Sequence, residues 1–556
     1  MRFPGRKEAI ARFAVSDANR SGEKRPNRYR WLVLLALASV FLFFVARFRA
    51  PGKGFTTLIN FGAAHASRYL PEVSPESTFF TPDSDGYDSQ WYAQLALEPD
   101  LRDPRLEHAI DNLPYRARRI LFCWTAYVLG MGQPRWILEA FALQNVVCWL
   151  LLGWLLLRWL PPTDWGNVLR WFFVQFSFGM AFSIRGALVD GPSLLLIASG
   201  VALLETGRPW LAALTLGVSG LGKETCILSG AALLEPRPVR DLGGWMKTAA
   251  RGLLVAAPLL LWTSYIIWIF GSGGTDAGSR NFALPFAEFW NKAETSFREL
   301  VSDPPVFSYA LGGALTVVSL ATQLLFFALR PRWSDPWWRI GAAYCILMAV
   351  LGESVWEGYP SAAARVLLPM LLAFNLSVPK GPRWWAVLLL GNATLISTPN
   401  FVRLPIGLEP TVLSAPQRLL AAADGTPQIA IELAGPWYHS EASLGDTWRW
   451  TGGAVEIVVR SEHDREVEAT LSFGLNCRTE RTITVAVGNH LIWEGTATPR
   501  RQEVAAEGIK LVPGETRIRI ASDVGAGVFT DSSDRRPLDF RVLDLSLGIR
   551  EIATSP

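Results

Sequence analysis

The sequence of 556 residues has few of the side chains that most often bind metals or form cross-links, with only five cysteines and five histidines. It has no CxxC pair and no Cys/His spacing typical of zinc binding, so we expect neither a disulfide framework nor a zinc site. Charged residues make up only 18%, and a net charge of +4 is too small to predict a nucleic-acid partner. There is also no P-loop and no GxGxxG helix start, which would indicate a bound nucleotide.

Long apolar runs are abundant, and they indicate a membrane protein. The first run, "WLVLLALASVFLFFVA" at 31–46, follows thirty residues with nine basic and three acidic side chains. A run of about 20 apolar residues is long enough to cross a bilayer. The further candidate spans are 136–159, 167–184, 188–206, the split stretch 209–235, 249–270, 306–329, 336–352, 362–378 and 384–398.

Basic residues predict the orientation of these spans, because lysine and arginine are enriched in cytoplasmic loops. The basic lead predicts a cytoplasmic N-terminus and an uncleaved first helix; a cleaved signal peptide is the rival interpretation. If 209–235 crosses twice, the basic loops "RWLPPTDWGNVLR", "ETGRPW", "EPRPVRDLGGWMKTAAR", "RPRWSDPWWR" and "PKGPRWW" all fall on the cytoplasmic side. The count then predicts about eleven passes and an external C-terminus.

Two stretches leave this topology open. Segment 115–131 begins with three arginines and has a short apolar body, which favours a helix lying in the membrane interface over a crossing. In 209–235, Lys223 and Glu224 interrupt an apolar stretch that is too short for two full crossings. A re-entrant hairpin would lift this pair toward the external face, whereas one long tilted helix would leave it near the middle of the membrane.

The C-terminal region has the alternating pattern of β-strands, separated by Gly, Pro, Asn and Asp. It predicts a β-sandwich with a hairpin turning at Gly488-Asn489. We therefore predict an α-helical polytopic membrane protein with a C-terminal all-β domain. The predicted parts are a basic tail 1–30, a transmembrane domain 31–398 with a first external loop 48–135, a linker 399–424, and an external sandwich 425–556.

The predicted topology collects many ionisable residues on the external side. They are Asp83, Asp85, Asp88, Arg116, Arg118, Arg119, Arg185, Asp190, Glu353, Glu357 and Arg365. Charges at the edge of a bilayer are costly, so a cluster shared by several helices indicates a functional site. Arginines neutralise phosphate and a carboxylate can deprotonate a hydroxyl, which is the chemistry that a lipid-linked phosphosugar donor requires.

The stretch "YDSQWYAQLAL" followed by "YRARRILFCWTAYVLG" resembles the first external loop of the GT-C superfamily of membrane glycosyltransferases. Its core is similar to the Asp-Ser-x-Trp-Tyr pattern of the mannosyltransferases of the GPI pathway and their bacterial relatives. The resemblance implies a polyprenyl-phosphate sugar donor, inversion of stereochemistry, and Asp88 as the motif acid with Trp91 and Tyr92 beside it. Tyr87 departs from the pattern of those relatives, as does the C-terminal sandwich.

From these patterns we expect Asp88 to act as a general base and Asp85 to orient it or to hold a divalent metal, Mg or Mn. Arg365 and one of Arg116, Arg118 and Arg119 are expected to stabilise the departing polyprenyl phosphate. The remaining candidate substrate-binding residues are Arg185, Asp190, Lys223, Glu224, Glu357, Trp91 and Tyr92.

Simpler structural roles compete with each of these assignments. Asp85-Gly86 fits a plain turn, and Asp88 fits a helix N-cap. The three arginines at 116–119 fit head-group anchoring, and Arg185 and Asp190 fit a structural ion pair. In the sandwich, a sugar-stacking platform competes with core packing for Trp437, Tyr438, Trp448 and Trp450.

The expected partners are a polyprenyl-phosphate sugar, a glycan or lipid acceptor, and membrane lipid, at the external face of a bacterial inner membrane. A lipid or glycan transporter is a second reading, which ionisable groups at mid-membrane depth would favour. A non-catalytic scaffold whose sandwich binds glycan is a third.

Overall fold

The computed structural model describes residues 28–81, 84–271, 279–302, 307–358, 360–402, 429–443, 446–461, 466–527 and 536–550. Asp83 and most of the predicted tail and linker lie outside these residues. The described chain has a helical part up to residue 402 and an all-β part from residue 429 onward, as the sequence predicts.

The helical part combines long apolar helices with short ones. Its first half contains α1 (Arg28–Ala46), α2 (Ser89–Leu97), α3 (Arg105–Ala109), α4 (Leu113–Ala117), α5 (Leu121–Leu129), α6 (Pro134–Leu156), α7 (Trp165–Gln175), α8 (Phe178–Arg185), α9 (Asp190–Glu205) and α10 (Pro209–Gly222). Its second half contains α11 (Leu242–Phe270), α12 (Ala287–Ser302), α13 (Phe307–Leu329), α14 (Pro336–Val350), α15 (Glu353–Trp356), α16 (Ala363–Val366), α17 (Leu368–Ser377) and α18 (Trp385–Leu390). The 3-10 helices are Thr56–Ile59, Ala63–Arg68, Glu224–Leu233, Ser279–Asn281, Pro382–Trp384 and Ala393–Val402, and β1 (Phe61–Gly62) pairs in parallel with β2 (Phe80–Thr81).

Four of the described helices are long and apolar enough to cross a membrane by themselves: α1, α6, α11 and residues Ala310–Leu329 of α13. The structure therefore does not contain eleven continuous spanning helices, and the predicted count is not confirmed. The reason is that several predicted spans break into shorter pieces. Stretch 167–184 is divided between α7 and α8 at Ser177, whose hydroxyl caps α8 by accepting from the Met180 N–H.

Stretch 209–235 folds as a hairpin. α10 ends at Gly222, and the 3-10 helix Glu224–Leu233 turns back along it, with Lys223 at the apex. Gly220 allows this close approach, because a Cβ atom there would lie 2.7 Å from Cγ2 of Ile227. The pair Lys223 and Glu224 therefore lies where two helices end, and the alternative of one long tilted helix is wrong.

One end of the helical part is covered by residues 48–120, and we call it the loop end. The Arg185 guanidinium at the close of α8 donates to Oδ1 of Asn60 over 2.8 Å, and the Trp262 indole of α11 donates to the Ala117 carbonyl over 2.8 Å. In the same region α5 has only nine residues, about 14 Å of helix. That length is too short for a crossing, which agrees with the interfacial prediction for segment 115–131.

At the opposite end, basic residues contact carbonyl and carboxylate oxygens of neighbouring loops. Arg30 donates to the Thr163 carbonyl, Arg158 pairs with Glu205 over 3.1 Å, and Lys380 pairs with Asp164 over 2.9 Å. These residues belong to the loops for which the sequence predicts a common side.

The all-β part is a sandwich of two antiparallel sheets. Its strands are β3 (Ile429–Ala434), β4 (Trp437–Ser443), β5 (Asp446–Thr451), β6 (Val455–Ser461), β7 (Val467–Cys477), β8 (Arg481–Val487), β9 (His490–Ala497), β10 (Gln502–Leu511), β11 (Gly514–Ser522) and β12 (Phe540–Arg550). One sheet has the order β10-β7-β12-β5-β4 and the other β3-β6-β11-β8-β9.

Alternate residues of both sheets form one buried core, which includes Ile457 and Ile518 from one sheet and Leu471 and Phe540 from the other. The predicted hairpin is present, since Val487 pairs with His490 across Gly488-Asn489.

Candidate functional site at the loop end

A short irregular segment before α2 positions Asp88. Gly86 has a φ of +75°, and a Cβ there would lie 2.6 Å from the Asn60 carbonyl, so this position requires glycine. Gln90 fixes the segment by donating to the Asp85 carbonyl over 2.8 Å and accepting from the Gly62 N–H over 3.1 Å. Residues 84–87 form neither a turn nor a bend, so the plain turn predicted at Asp85-Gly86 is wrong, while a catalytic or metal-binding role for Asp85 stays a prediction.

The carboxylate of Asp88 does not cap α2, although the residue stands at the N-cap position. It accepts instead from Nη1 of Arg116 over 2.9 Å, and 32% of the side chain stays exposed. The guanidinium of Arg116 also forms a two-pronged contact with Asp111, from Nε to Oδ1 over 2.9 Å and from Nη2 to Oδ2 over 2.6 Å. One arginine therefore joins two carboxylates.

Arg119 connects the loop to the apex of the hairpin. Its Nε donates to Oε2 of Glu224 over 2.9 Å, its Nη1 to the Tyr92 hydroxyl over 2.8 Å, and its Nη2 to the Tyr115 hydroxyl over 3.3 Å. The guanidinium of Arg116 lies above the Tyr92 ring, 5.6 Å from its centre. Tyr92 thus lies between two arginines, beside Asp88.

Asp190 holds two cations at the start of α9. Lys223 from the hairpin apex pairs with its Oδ1, and Nη1 of Arg365 from α16 lies 3.4 Å from its Oδ2. The guanidinium of Arg365 also rests on the rings of Tyr87 and Phe182, at 5.8 and 5.5 Å from their centres. Its Nε is buried and has no hydrogen-bond partner.

These contacts form one charge cluster at the loop end. We use this name for Asp88, Asp111, Arg116, Arg119, Asp190, Lys223, Glu224 and Arg365 together with Tyr92. All of them except Asp111 are predicted from the sequence. The cluster draws its side chains from segments that lie more than 270 residues apart along the chain.

Several predicted site residues lie in other surroundings. Arg185 and Asp190 do not pair with each other, because Arg185 bonds to Asn60 and stacks on Phe48. Glu357 contacts an exposed arginine, Arg280, which also holds Glu353, so its predicted place in the site is wrong. The reason is that the surface loop after α15 turns these carboxylates toward solvent.

Two further predicted site residues, Trp91 and Arg118, are not part of the cluster because their side chains point elsewhere. Trp91 points to the other face of α2, where it packs against His65 and Tyr69 with ring centres 5.4 and 6.5 Å apart. Arg118 lies 5.8 Å from the centre of the Tyr115 ring, and its two arginine neighbours supply the cluster contacts. Three arginines in four positions cannot share one helix face. Arg116 and Arg119 therefore reach the cluster, and Arg118 does not.

Charge and burial oppose each other at the loop residues of the cluster. Burial raises the pKa of Asp88, but the guanidinium groups of Arg116, Arg365 and Arg119 outweigh it and hold that pKa below its usual range. Burial also raises the pKa of Tyr92 despite the two arginines beside it. At neutral pH the carboxylate is therefore ionised and the phenol keeps its proton.

The sequence analysis did not single out Asp111, Tyr115, Asn60 and Phe182. Asp111 is one of several carboxylates in the 98–111 segment and has no motif around it. Tyr115 opens the "YRARR" run, so its closeness to the arginines is the only available signal. Asn60 and Phe182 are contacts between distant segments, which no local pattern indicates.

Two of the four aromatic residues singled out in the sandwich, Trp448 and Trp450, are buried, whereas Trp437 and Tyr438 are half-buried. Trp448 and Trp450 are 5% and 6% exposed, and the Arg541 guanidinium lies over both rings, 4.7 and 5.3 Å from their centres. The indole of Trp437 donates to the Glu456 carbonyl. The core-packing interpretation is therefore confirmed for Trp448 and Trp450, and they offer no stacking platform.

No set of three or more metal-ligating side chains comes together in the described ranges, and all five cysteines are free. A cavity of about 400 Å³ lies at the loop end, between residues 101–113 and the end of α11. Its apolar lining is Leu101, Leu113, Trp268, Ile269 and Phe270, and the other lining residues are Arg102, Asp103, Pro104 and Glu107.

The comparisons with known proteins add no family to these observations. No protein-family model matches the sequence, and none of the curated proteins is similar to it. The resemblance to the GT-C superfamily therefore stays a prediction that depends on the loop motif.

Proposed function

We propose that this chain is an integral membrane glycosyltransferase of the GT-C type. It would transfer a sugar from a polyprenyl-phosphate donor to a hydroxyl group of a glycan or lipid acceptor. The observation that carries the proposal is the meeting of the motif acid Asp88 with four cations from three other segments at one end of the helical part. Partly buried arginines together with a half-exposed carboxylate suit the transfer of a phosphate-linked group.

In the proposed reaction the acceptor oxygen attacks the anomeric carbon while the bond from that carbon to the phosphate oxygen breaks. The bonding electrons leave with the polyprenyl phosphate, and the hydroxyl proton moves to Oδ2 of Asp88. Arg116 occupies Oδ1 and so orients the carboxylate. A single displacement of this kind inverts the configuration at the anomeric carbon.

Arg365 is the residue we assign to the departing phosphate. Its contact with Asp190 is long, at 3.4 Å, and its Nε is buried without a partner. A buried donor of this kind is costly unless a ligand or water accepts from it. Arg119 and Arg116 lie on the other side of Asp88 and would share the charge that develops on the phosphate.

We propose an orientation and a path for the lipid as well. The loop end and the sandwich would face the outside of a bacterial inner membrane, and the short helices would join across their breaks to give eleven passes. The cavity beside α11 would receive the start of the polyprenyl chain, because α11 is mostly exposed toward the surrounding lipid. This agrees with the basic residues at the opposite end.

A divalent metal fits the described residues poorly. Asp88, Asp190 and Glu224 are each bound to a cationic side chain, and no three ligands meet in the part of the chain that the structure describes. We therefore assign no step of the reaction to a metal ion.

The contacts favour the enzyme over the two alternatives. Lys223 and Glu224 at mid-membrane depth would favour a transporter, whereas the contacts join both residues to the charge cluster at the apex of a hairpin. A scaffold with a glycan-binding sandwich was favoured by exposed aromatic rings, and Trp448 and Trp450 are buried.

The direct test is an assay of the purified protein in lipid vesicles with polyprenyl-phosphate donors that carry different sugars. We expect sugar transfer to an acceptor together with release of polyprenyl phosphate. A labelled donor that crosses the vesicle membrane without loss of its sugar would support the transporter and contradict the enzyme.

Arg365→Lys keeps the charge but removes the planar fork, so we expect a rise of about ten- to a hundredfold in the KM for the donor. The expected loss corresponds to one charged hydrogen bond, about 1.5–3 kcal/mol. Steady-state kinetics with varied donor concentration measures it. Glu357→Gln is the matched control and should stay within about twofold of the unmodified protein, because its carboxylate contacts only the exposed Arg280 among the contacts described.

Trp268→Ala tests the lipid cavity. Losing about 40 Å² of apolar contact removes about 1 kcal/mol, so the KM for a long-chain donor should rise roughly fivefold. The KM for a donor with a very short chain should not change. Trp245→Ala, at the other end of the same helix, is the control, and an equal effect in both variants would remove the cavity from the proposal.

A further inference from the structure

The contact between Arg116 and Asp111 is the best-formed ion pair of the cluster, and the sequence motif does not include Asp111. Three of the arginine nitrogens are engaged: Nε and Nη2 with the two oxygens of Asp111, and Nη1 with Asp88. Such a fork fixes the plane of the guanidinium as well as its place. Asp111 therefore determines where Nη1 meets Asp88.

We propose that Asp111 is a positioning residue for the reaction: it holds Arg116 against Oδ1 of Asp88 and neutralises the guanidinium, so that Asp88 can still accept a proton. The inference rests on the proposed function, since it assigns Asp88 the role of base. Without Asp111, the positive charge of Arg116 would be uncompensated and its guanidinium less well fixed. An uncompensated positive charge beside the Asp88 carboxylate makes that carboxylate a weaker base.

Geometry gives Asp111 a role that the other acids of the segment lack. Asp103 and Glu98 contact Arg105, and Glu107 is exposed and lies on α3. Asp111 is bonded through one arginine to Asp88, and its own side chain stays 38% exposed. It can therefore be changed with little effect on the core.

Several charged and titratable groups face Asp88 besides this pair. They are Arg119 from the loop, Arg365 from α16, and Tyr87 and Tyr92 on either side of Asp88 in the sequence. Asp111→Asn leaves all four in place, so a change in the titration of Asp88 is assigned to the loss of the Asp111 charge from the Arg116 pair.

The sign of the effect follows from electrostatics. Asp111→Asn removes a negative charge that offsets Arg116, which stabilises the ionised form of Asp88 and lowers its pKa further. In a pH profile of kcat/KM, the limb that falls toward acid should move to lower pH by about half a unit to one unit. The plateau should fall about three- to tenfold, because the base is weaker and less well oriented.

Two variants complete the experiment. Glu76→Gln removes one carboxylate charge from the same loop end, on an exposed residue outside both the cluster and the cavity, and should leave limb and plateau unchanged. Asp111→Glu restores the charge and should return the limb to its original pH. A lower plateau with an unmoved limb in Asp111→Asn would show a merely structural role and overturn the proposal.

A second readout does not need activity, so failure of the enzyme assay and failure of this inference can be told apart. The melting temperature of the full chain in detergent is compared with that of Asp88→Asn across pH, and the difference disappears as pH falls through the pKa of Asp88. The same comparison in an Asp111→Asn background should place that midpoint at lower pH. An identical midpoint in both backgrounds would contradict the proposal even if the protein transfers sugar.

Discussion

Asp88→Asn should lower the rate of sugar transfer by about 10²- to 10⁴-fold, because an amide cannot accept the proton of the acceptor hydroxyl. The amide oxygen can still accept from Nη1 of Arg116, so the local structure should persist. The donor KM should change little, since Arg365 and Arg119 are expected to bind the phosphate. Single-turnover measurement of sugar transfer at saturating donor gives the decrease directly.

The control for this variant is Glu76→Gln, which makes the same kind of change on an exposed residue of the loop end, outside both the cluster and the cavity, and should keep full activity. Asp85→Asn provides the comparison between the two predicted acids. We expect a much smaller decrease, since Asp85 meets Gln90 through its backbone carbonyl, a contact that the change to asparagine leaves in place. Full activity in Asp88→Asn would remove the base from the mechanism.

Asp190→Asn should destabilise the protein by about 3–5 kcal/mol, because it leaves two buried cations, Lys223 and Arg365, without their carboxylate. The Asp190 side chain is only 3% exposed, so water cannot replace the lost charge. The expected result is a large decrease in melting temperature, measured by thermal unfolding in detergent. Replacing Lys223 by Met in the same background should recover part of it.

Asp164→Asn is the matched control at the opposite end. Asp164 pairs with Lys380, whose side chain is 64% exposed, and asparagine caps a helix about as well as aspartate. We therefore expect a change of at most about 1 kcal/mol. Equal destabilisation in the two variants would mean that Asp190 has no special place in the fold.

Hydrophobic periodicity was enough to predict the two parts of the fold. Alternation of period two predicts the sandwich, and the apolar runs predict the helical part, because both patterns reflect burial of one face or of the whole segment. Breaks inside a run are a different matter. Ser177 divides one predicted span without a strong local signal, since it is one small polar residue in a mainly apolar context. The pair Lys223 and Glu224 does mark a break, but only packing against neighbouring helices decides between a hairpin and one long tilted helix.

Ionisable residues in apolar sequence predicted most of the charge cluster, since such residues persist only where they are paired or functional. The partners could not be predicted. The structural alternative paired Asp190 with its neighbour Arg185, but Asp190 contacts Lys223, which is 33 positions away, and Arg365. Asp111 was missed because nothing local separates it from the other acids of its loop.

The cluster carries four positive side chains, Arg116, Arg119, Lys223 and Arg365, and four carboxylates, Asp88, Asp111, Asp190 and Glu224, so its charges cancel. The arriving donor, a phosphodiester with one negative charge, therefore meets no uncompensated cation and must compete with the resident carboxylates for the guanidinium groups. This competition lowers the affinity for any phosphate ester, including the released polyprenyl phosphate. A catalyst that has to let its lipid product diffuse away after every turnover gains from that competition.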